Sequence, residues 1–231
     1  MADRPWPPAL RFSEVLLEPR NLTRSGGQTL SGDEQIVISP AARWVGTMTV
    51  PIADRRHGRP EHQDAVLAWR WMKAGGRASV ILVPAKDGRG PAHRAGIVPC
   101  RGSVPHSDGS TFSDGSGYGQ SYSGTYLLAP VAMNATQLRI NLGLGLQLLP
   151  GMRFSMPGGR LHEIVDIVSW DGGTIWTVIV GPWTVADWPA GTPLEFERPV
   201  CRMRLASDEA GALSLSLNRF ATPTIEFVEA L

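Results

Sequence analysis

Turn-forming residues recur at short intervals along this chain and leave room mainly for short strands. Between residues 126 and 197, the turns LPGM, PGGR, DGG and PAGTP separate apolar runs. The spacing, roughly a dozen residues, is typical of a compact β-sandwich or barrel. Glycine (26) and proline (19) make up about a fifth of the 231 residues, against a usual ~12%. The sequence therefore predicts a mainly β protein.

The first hundred residues predict strands flanking a single helix. The run RWVGTMTVPI (residues 43–52) alternates with period two and places Trp44, Gly46, Met48 and Val50 on one face. A helix is predicted over residues 62–74, because a proline and a glutamate suit its first turn and two glycines suit its end. Further strands are predicted at residues 10–17, 35–39 and 78–83, the last fully buried, and in VCRMRLA, ALSLSLN and TPTIEFVEA near the C-terminus.

The predicted helix has apolar side chains on two sides. A helix that lies on one sheet needs only one apolar stripe. We therefore expect the second stripe to contact something else, and Leu67 and Trp71 are candidate subunit-interface residues. The stripes consist of Ala65, Val66, Trp69 and Met72 on one side and Leu67, Trp71 and Ala74 on the other.

Two cysteines bracket a segment that has its own pattern of strands. Cys100 and Cys201 stand in matching contexts, VPC and PVC, and are expected to be reduced thiols. An inserted domain must leave and re-enter its host at nearby points, so we expect the two cysteines to form an insertion hinge on neighbouring antiparallel strands. The predicted organisation is a first domain at 1–100 and 200–231, a Gly/Ser-rich linker at 101–124, and an inserted β-domain at 125–199.

Charge and hydropathy exclude some partners. The net charge is +1, so no strong field attracts nucleic acid or a membrane. The N-terminal residues lack an apolar core of signal-peptide length, and no run approaches about 18 apolar residues. We expect a soluble protein without an export signal or membrane insertion. Twenty arginines against two lysines, with eight tryptophans, favour a protein that assembles with others.

The stretch RSGGQTLSG (residues 24–32) has glycines at roughly P-loop spacing, but it predicts no phosphate site. Asp33 and Glu34 follow it and would repel a phosphate, and the next residues favour a strand rather than a helix. The repeated SDGS at residues 107–110 and 113–116 lacks the ligand spacing of a calcium loop. A flexible loop explains these segments better.

Candidate catalytic groups are sparse. The five histidines (His57, His62, His93, His106 and His162) lack zinc spacing, and we expect them to be solvated. No G-x-S-x-G elbow is present, and Ser25 has no obvious base. Asp166 and Asp171 could form a hydrolytic carboxylate pair, but many β-domains contain such pairs. We expect no enzyme activity, cofactor or metal.

Six segments of this chain together resemble tail proteins of long-tailed bacteriophages and prophages, especially the distal tail protein class. The resemblance extends from about residue 24 to 204. Its segments are RSGGQTLSG, ARWVGTMTV, LAWRWMKAGGRASVILVP, PHSDGSTFSDGSGYGQ, TQLRINLGLGLQLLPGMRFSMPGGRLHEIVDI and GPWTVADWPAGTPLEFERPVCRMRL.

This resemblance implies a structural virion protein. Six copies would form a ring at the distal end of the tail tube, between the tube protein and the baseplate hub or tip, with DNA passing through. The first domain would be a tail-tube-like β-sandwich or barrel with one flanking helix, and the inserted domain would project outward, where it could carry receptor-binding proteins. RSGGQTLSG would be a loop or hairpin tip on the ring face that contacts an adjacent ring, with Arg24 and Asp33 as contacts. Such a protein is assembled in the bacterial cytoplasm.

Two other functions compete with this interpretation. Residues 125–197 could form a carbohydrate- or receptor-binding module, with aromatic faces stacking on sugars. The alternative for these aromatic residues is the core of a small β-domain, which we favour because tryptophan has a large apolar surface to bury. A tail-associated hydrolase is the other competitor, and the missing nucleophile and metal motifs weigh against it. The tryptophans concerned are Trp170, Trp176, Trp183 and Trp188.

Overall fold

The protein is mainly β, as predicted, and contains two compact units. The computed structural model describes residues 3–28, 30–53, 60–85, 90–96, 105–114, 124–143, 146–216 and 220–231. The first unit consists of Met1–Ala85, Gly158–Leu161 and Val200–Leu231, and the second of Lys86–Pro157 and His162–Pro199. Neither described helix is long and apolar enough to cross a membrane.

The first unit contains a six-stranded sheet. The strand order is β1-β5-β11-β13-β3-β2, with β1 and β5 parallel and the other neighbours antiparallel. A two-stranded sheet pairs β4 with β12. The elements are β1 (Arg4–Pro5), β2 (Glu14–Gln28), β3 (Glu34–Thr49), β4 (Ile52–Ala53), α1 (Pro60–Lys73), β5 (Ile81–Pro84), β11 (Val200–Leu205), β12 (Phe220–Ala221) and β13 (Thr224–Glu229), with a short 3-10 helix at Gly76–Ala78.

The core of the first unit lies between α1 and the sheet. The predicted inner face of β3 is confirmed, because Trp44, Met48 and Val50 are buried. The inner stripe of α1 is also confirmed, with Trp69 and Met72 buried. Both buried indoles are hydrogen-bonded: Trp44 Nε1 donates to the Leu161 carbonyl (2.8 Å) and Trp69 Nε1 to the Gly211 carbonyl (3.1 Å). Burial therefore leaves neither donor unsatisfied.

Two of the predicted strands are parts of one longer strand. Residues 35–39 and 43–52 were predicted as separate strands, yet β3 runs continuously from Glu34 to Thr49 and pairs with β2. A β-bulge absorbs the interruption, because residues 40–42 lie opposite the single residue Asn21. The described residues of RSGGQTLSG therefore lie at the end of a long β-hairpin, which was one of the two alternatives that the sequence suggested for this segment.

Two other strand predictions need correction. The segment at 78–83 is not fully buried, because β5 alternates, with Ile81 and Val83 buried and Leu82 half-buried. The segment ALSLSLN was predicted as a strand, but residues 212–215, which alternate between exposed and half-buried positions, belong to none of the sheets.

The second unit contains a five-stranded antiparallel sheet in the order β6-β7-β10-β9-β8. Its core includes Leu138, Ile140 and Trp176 from two neighbouring strands, together with Phe154 stacked on Phe196. One short helix was not predicted. The elements are α2 (Pro91–Arg94), β6 (Tyr126–Leu127), β7 (Gln137–Asn141), β8 (Arg153–Met156), β9 (Arg160–Trp170) and β10 (Ile175–Gly181).

The chain leaves the first unit and returns to it on neighbouring strands. Pro84, at the end of β5, pairs with Val200, at the start of β11. The first segment of this unit ends at Ala85, whereas the sequence placed the end of this segment at residue 100. The unit also includes residues 158–161. Cys201 is buried and pairs with Val83. The predicted hinge contact with Cys100 lies outside the described residues.

Candidate assembly surfaces

The outer face of α1 exposes the apolar stripe that the sequence predicted. Leu67 is 59% and Trp71 44% exposed. The Arg4 guanidinium lies 5.1 Å from the centre of the Trp71 ring, so one face of this indole already has a cationic neighbour. The same guanidinium donates to the Trp71 and Ala74 carbonyls at 2.7 and 2.6 Å. Arg4, which the sequence did not single out, therefore caps the helix C-terminus.

A two-stranded arm extends beyond the six-stranded sheet of the first unit. We call residues 20–43 the arm. β13 pairs with β3 only over residues 45–49, so among the described residues only β2 pairs with the distal half of β3. The paired stretch from residue 22 to 28 spans about 20 Å at the usual rise per residue. An isolated two-stranded ribbon is marginally stable in water, so an arm of this kind gains stability from a partner.

The glycines of RSGGQTLSG shape the end of this arm. Gly27 has φ +89°, where β2 bulges and its residues 26 and 27 lie opposite Gln35. Gly32 has φ +88° in the turn between the strands. Both conformations favour glycine over residues with a side chain. These glycines therefore have a mechanical role in bending and closing a hairpin.

Apolar and acidic side chains are exposed together at the arm tip. Leu30 is fully exposed, and Asp33 and Glu34 are exposed beside it. The Ser31 hydroxyl donates to the Asp33 carboxylate at 3.0 Å. Arg24, the other predicted contact, is exposed on β2. Leu30 was missed by the sequence analysis, although a leucine in the middle of a polar turn is the signal that would have indicated it.

An open groove lies beside the last turns of α1. Its volume is about 490 Å³. Two of its lining residues are cations and none is a carboxylate, while half-buried leucines from residues 212–215 supply apolar surface. The lining residues are Trp69, Arg70, Lys73, Ala74, Leu213 and Leu215.

A buried polar cluster connects β3, β11, β13 and residues 158–161 within the first unit. The Glu229 carboxylate accepts from the Trp44 backbone amide at 3.1 Å. Burial raises the pKa of Glu229, and the Trp44 amide and Arg160 partly oppose this. Burial, followed by the nearby charge of Glu229, also raises the pKa of Cys201 well above its ordinary value. A thiol in this environment stays protonated and is not a nucleophile.

The four tryptophans of the second unit differ in exposure. Trp176 is buried, Trp183 and Trp188 are half-buried, and Trp170 is 48% exposed. Trp170 stacks on Trp176 with ring centres 5.0 Å apart and planes 14° apart, and its Nε1 donates to the Gly173 carbonyl at 2.9 Å. Trp176 lies in the core and Trp188 packs against it, while Trp170 presents a fixed aromatic ring at the surface.

One histidine differs from expectation. His162 is 2% exposed, and its Nδ1 lies 2.8 Å from the Pro182 carbonyl oxygen. The expectation of a solvated histidine is wrong here, because Leu161, His162 and Ile164 are all buried on β9. His93 is exposed and His106 half-buried, while the side chains of His57 and His62 lie outside the described residues. No group of histidine, cysteine or acidic side chains in the described part of the chain could hold a metal ion.

The carboxylates considered for hydrolysis or calcium binding interact with nearby turns. Asp171 accepts from the Gly173 and Ile175 amides in the turn between β9 and β10, and Asp166 accepts from the Ile167 amide. Asp108 accepts from the Ser110 amide and hydroxyl, and these bonds lower its pKa. The Ser25 hydroxyl accepts from the Gly27 amide at the bulge. Each of these contacts is local, as is usual in turns.

A scan against protein-family models and a search of curated proteins give no match to this chain.

Proposed function

We propose that this protein is a structural component of a bacteriophage tail. Six copies form a ring at the distal end of the tail tube, connect the tube protein to the baseplate hub or tip, and let DNA pass. The motif pattern from residue 24 to 204 suggests this class. The observation that supports assembly most directly is the exposed outer stripe of α1, with Leu67 and Trp71, on a helix whose inner stripe is already buried.

The first unit has two different surfaces suited to head-to-tail association. A closed cyclic assembly needs two unlike patches on each subunit. The outer face of α1 is short and apolar, whereas the arm is an extended ribbon with an acidic tip. Two unlike surfaces of this kind can pair head-to-tail from one copy to the next, as the proposed ring requires.

A ring that DNA slides through should not hold it tightly. Each phosphate contact by a lysine or arginine adds affinity and slows sliding. The net charge of +1 suits passage better than binding. The proposed location is the virion, after assembly in the bacterial cytoplasm.

The proposal is tested by placing a charge on the outer stripe. Leu67→Glu should shift the molecular mass in solution from the ring towards the monomer, because a buried unpaired carboxylate is costly. Gln137→Glu, at an exposed position on β7, adds the same charge elsewhere and should leave the ring intact. Equal masses for both variants and the unmodified protein would contradict a role for this stripe.

Carbohydrate binding by the second unit is a second candidate function. It is favoured by one observation, the exposed Trp170 ring held in place by Trp176 and Gly173, since sugars stack on fixed aromatic faces. A glycan array probed with the intact protein and with Trp170→Ala tests it. Binding that the substitution abolishes would support this function, and an array without signal would exclude it for the sugars displayed.

A further inference from the structure

The groove beside α1 and the arm tip are complementary in charge and shape. Arg70 and Lys73 line the groove, and among the described residues neither has an ion-pair partner. The tip carries Asp33 and Glu34 beside the fully exposed Leu30. An apolar anchor followed in the chain by two carboxylates matches a groove lined by two leucines and two cations.

The groove has room and apolar surface for such an anchor. Its volume of about 490 Å³ falls in the ~300–1,000 Å³ range of ligand-binding pockets. The Trp69 side chain is almost completely buried and forms the floor, while Leu213 and Leu215 are half-buried and leave part of their surface to solvent. Covering these leucines with Leu30 would remove apolar surface of both partners from water.

The backbone beside the groove is also suited to an incoming strand. Residues 212–215 alternate between exposed and half-buried positions and lie outside the sheets, and they make no backbone hydrogen bond to the rest of the described chain. A segment with open backbone groups can pair with an arriving strand or hairpin.

We infer that the arm tip of one copy binds in the groove of a second copy, with Leu30 against Leu213 and Leu215 and the Asp33 and Glu34 carboxylates beside Arg70 and Lys73. This inference rests on the proposed self-assembly. It assigns the tip to another copy of this chain rather than to a different protein in an adjacent ring. Because the tip and the groove are different surfaces, this contact can repeat head-to-tail from one copy to the next around a ring.

A disulfide trap tests the contact directly. Ser31→Cys is introduced in one preparation and Ala74→Cys in another, and both preparations also carry Cys100→Ser. Ala74 is chosen because it is exposed and lines the groove. Under oxidising conditions, a disulfide-linked pair of chains should form in the mixture and in neither preparation alone. Glu18→Cys, exposed on β2 nearer the sheet, is the matched control and should not link to Ala74→Cys.

Anchor and charge substitutions give a second measurement. Leu30→Ser should weaken association by about tenfold to a hundredfold, as expected for losing one buried leucine. Asp33→Lys and Lys73→Asp should each weaken it several-fold, and the two combined in one chain should restore it, because the swapped charges again attract.

The outcomes separate this inference from the proposed function. Rings that form normally with Leu30→Ser and give no tip-to-groove disulfide would overturn the inference and leave the ring standing. A disulfide and a charge-swap rescue in open chains rather than rings would support the inference and overturn the ring. A protein that stays monomeric at high concentration, without any disulfide, would overturn both.

Discussion

At the scale of single residues, two tryptophans two positions apart on α1 differ in role. Trp69 is buried with its indole donor satisfied, and Trp71 is exposed on the outer stripe. Trp69→Ala should lower the free energy of unfolding by about 3–5 kcal/mol, as core tryptophan truncations do. Trp71→Ala should cost little stability, about the 0.5–1 kcal/mol of an exposed cation–π contact, but should weaken assembly.

Chemical denaturation and mass measured against concentration separate these two effects. Trp69→Ala should have a lower denaturation midpoint. Trp71→Ala should remain folded but show a lower mass of the assembled protein in solution. If Trp71→Ala unfolds the monomer instead, the outer stripe belongs to the core and the proposed interface is wrong.

Glu229 should make stability depend on pH. Burial raises its pKa in the folded state above the ordinary value of 4.5. The folded protein therefore holds this proton more tightly than the unfolded chain, and the associated stability is present at low pH. It is lost as the pH rises from about 4.5 through the raised pKa. Glu229→Gln keeps an oxygen acceptor for the Trp44 amide and removes the titration.

The free energy of unfolding, measured from pH 4 to 8, checks this. The difference between Glu229→Gln and the unmodified protein should grow in favour of the variant as the pH rises. Glu226→Gln, at an exposed position on the same strand, is the control and should follow the unmodified protein. A constant difference across the range would mean that Glu229 does not titrate in this way.

At the scale of elements, Arg4 connects β1 to the end of α1. Its guanidinium donates to two carbonyls at the helix C-terminus, groups that no later turn of the helix can satisfy. Arg4→Ala should cost about 1–2 kcal/mol and speed amide hydrogen exchange in the last turn of α1. Arg4→Lys keeps the charge but not the planar fork, so it should give an intermediate effect. Equal exchange in all three proteins would contradict the capping role.

Periodicity predicted the elements whose burial follows from one sheet or one helix face. The inner faces of β3 and α1 agree with the sequence, because each buried position there has one neighbouring layer, and the outer stripe of α1 is exposed where helical spacing places it. The long hairpin was not predicted as one element, since the bulge opposite Asn21 depends on pairing with β2. His162 was expected to be solvated because it lacks zinc spacing, and this expectation took no account of the consecutive buried residues on β9.

The candidate site was predicted only in part, for a similar reason. Leu67 and Trp71 follow from helical spacing alone. The groove combines residues from α1 with residues 213 and 215, far apart in the chain, and no local pattern brings them together. The Arg4 cap likewise depends on the parallel pairing of β1 with β5.

At the scale of the whole molecule, the two units do not divide at one clean boundary. Residues 158–161 belong to the first unit. Leu161 is buried in the core of that unit, and the Leu161 carbonyl accepts a hydrogen bond from Trp44 Nε1. The Gly159 carbonyl accepts a hydrogen bond from the Arg202 amide. Replacing residues 86–199 by a short Gly/Ser linker joins the paired strands β5 and β11 but removes these contacts. We expect the first unit to fold, with a free energy of unfolding about 2–5 kcal/mol lower than in the intact protein. The loss comes from the missing Leu161 side chain and from the Trp44 indole N–H, which no longer has an acceptor.

Circular dichroism and denaturation of this deletion variant measure the cost. Trp44→Phe in the same background is the control: it removes the unsatisfied indole donor and should recover part of the lost stability. A deletion variant as stable as the intact protein would show that residues 158–161 contribute nothing to the first unit.

Electron microscopy of the purified protein, combined with its native mass, tests the central claim most directly. The account predicts closed rings of six chains with a central opening, at a mass six times that of the 25.0 kDa chain. Leu67→Glu should reduce the number of rings, and Gln137→Glu should not. A protein that remains monomeric at high concentration, or that forms a closed two-fold dimer, would contradict the account.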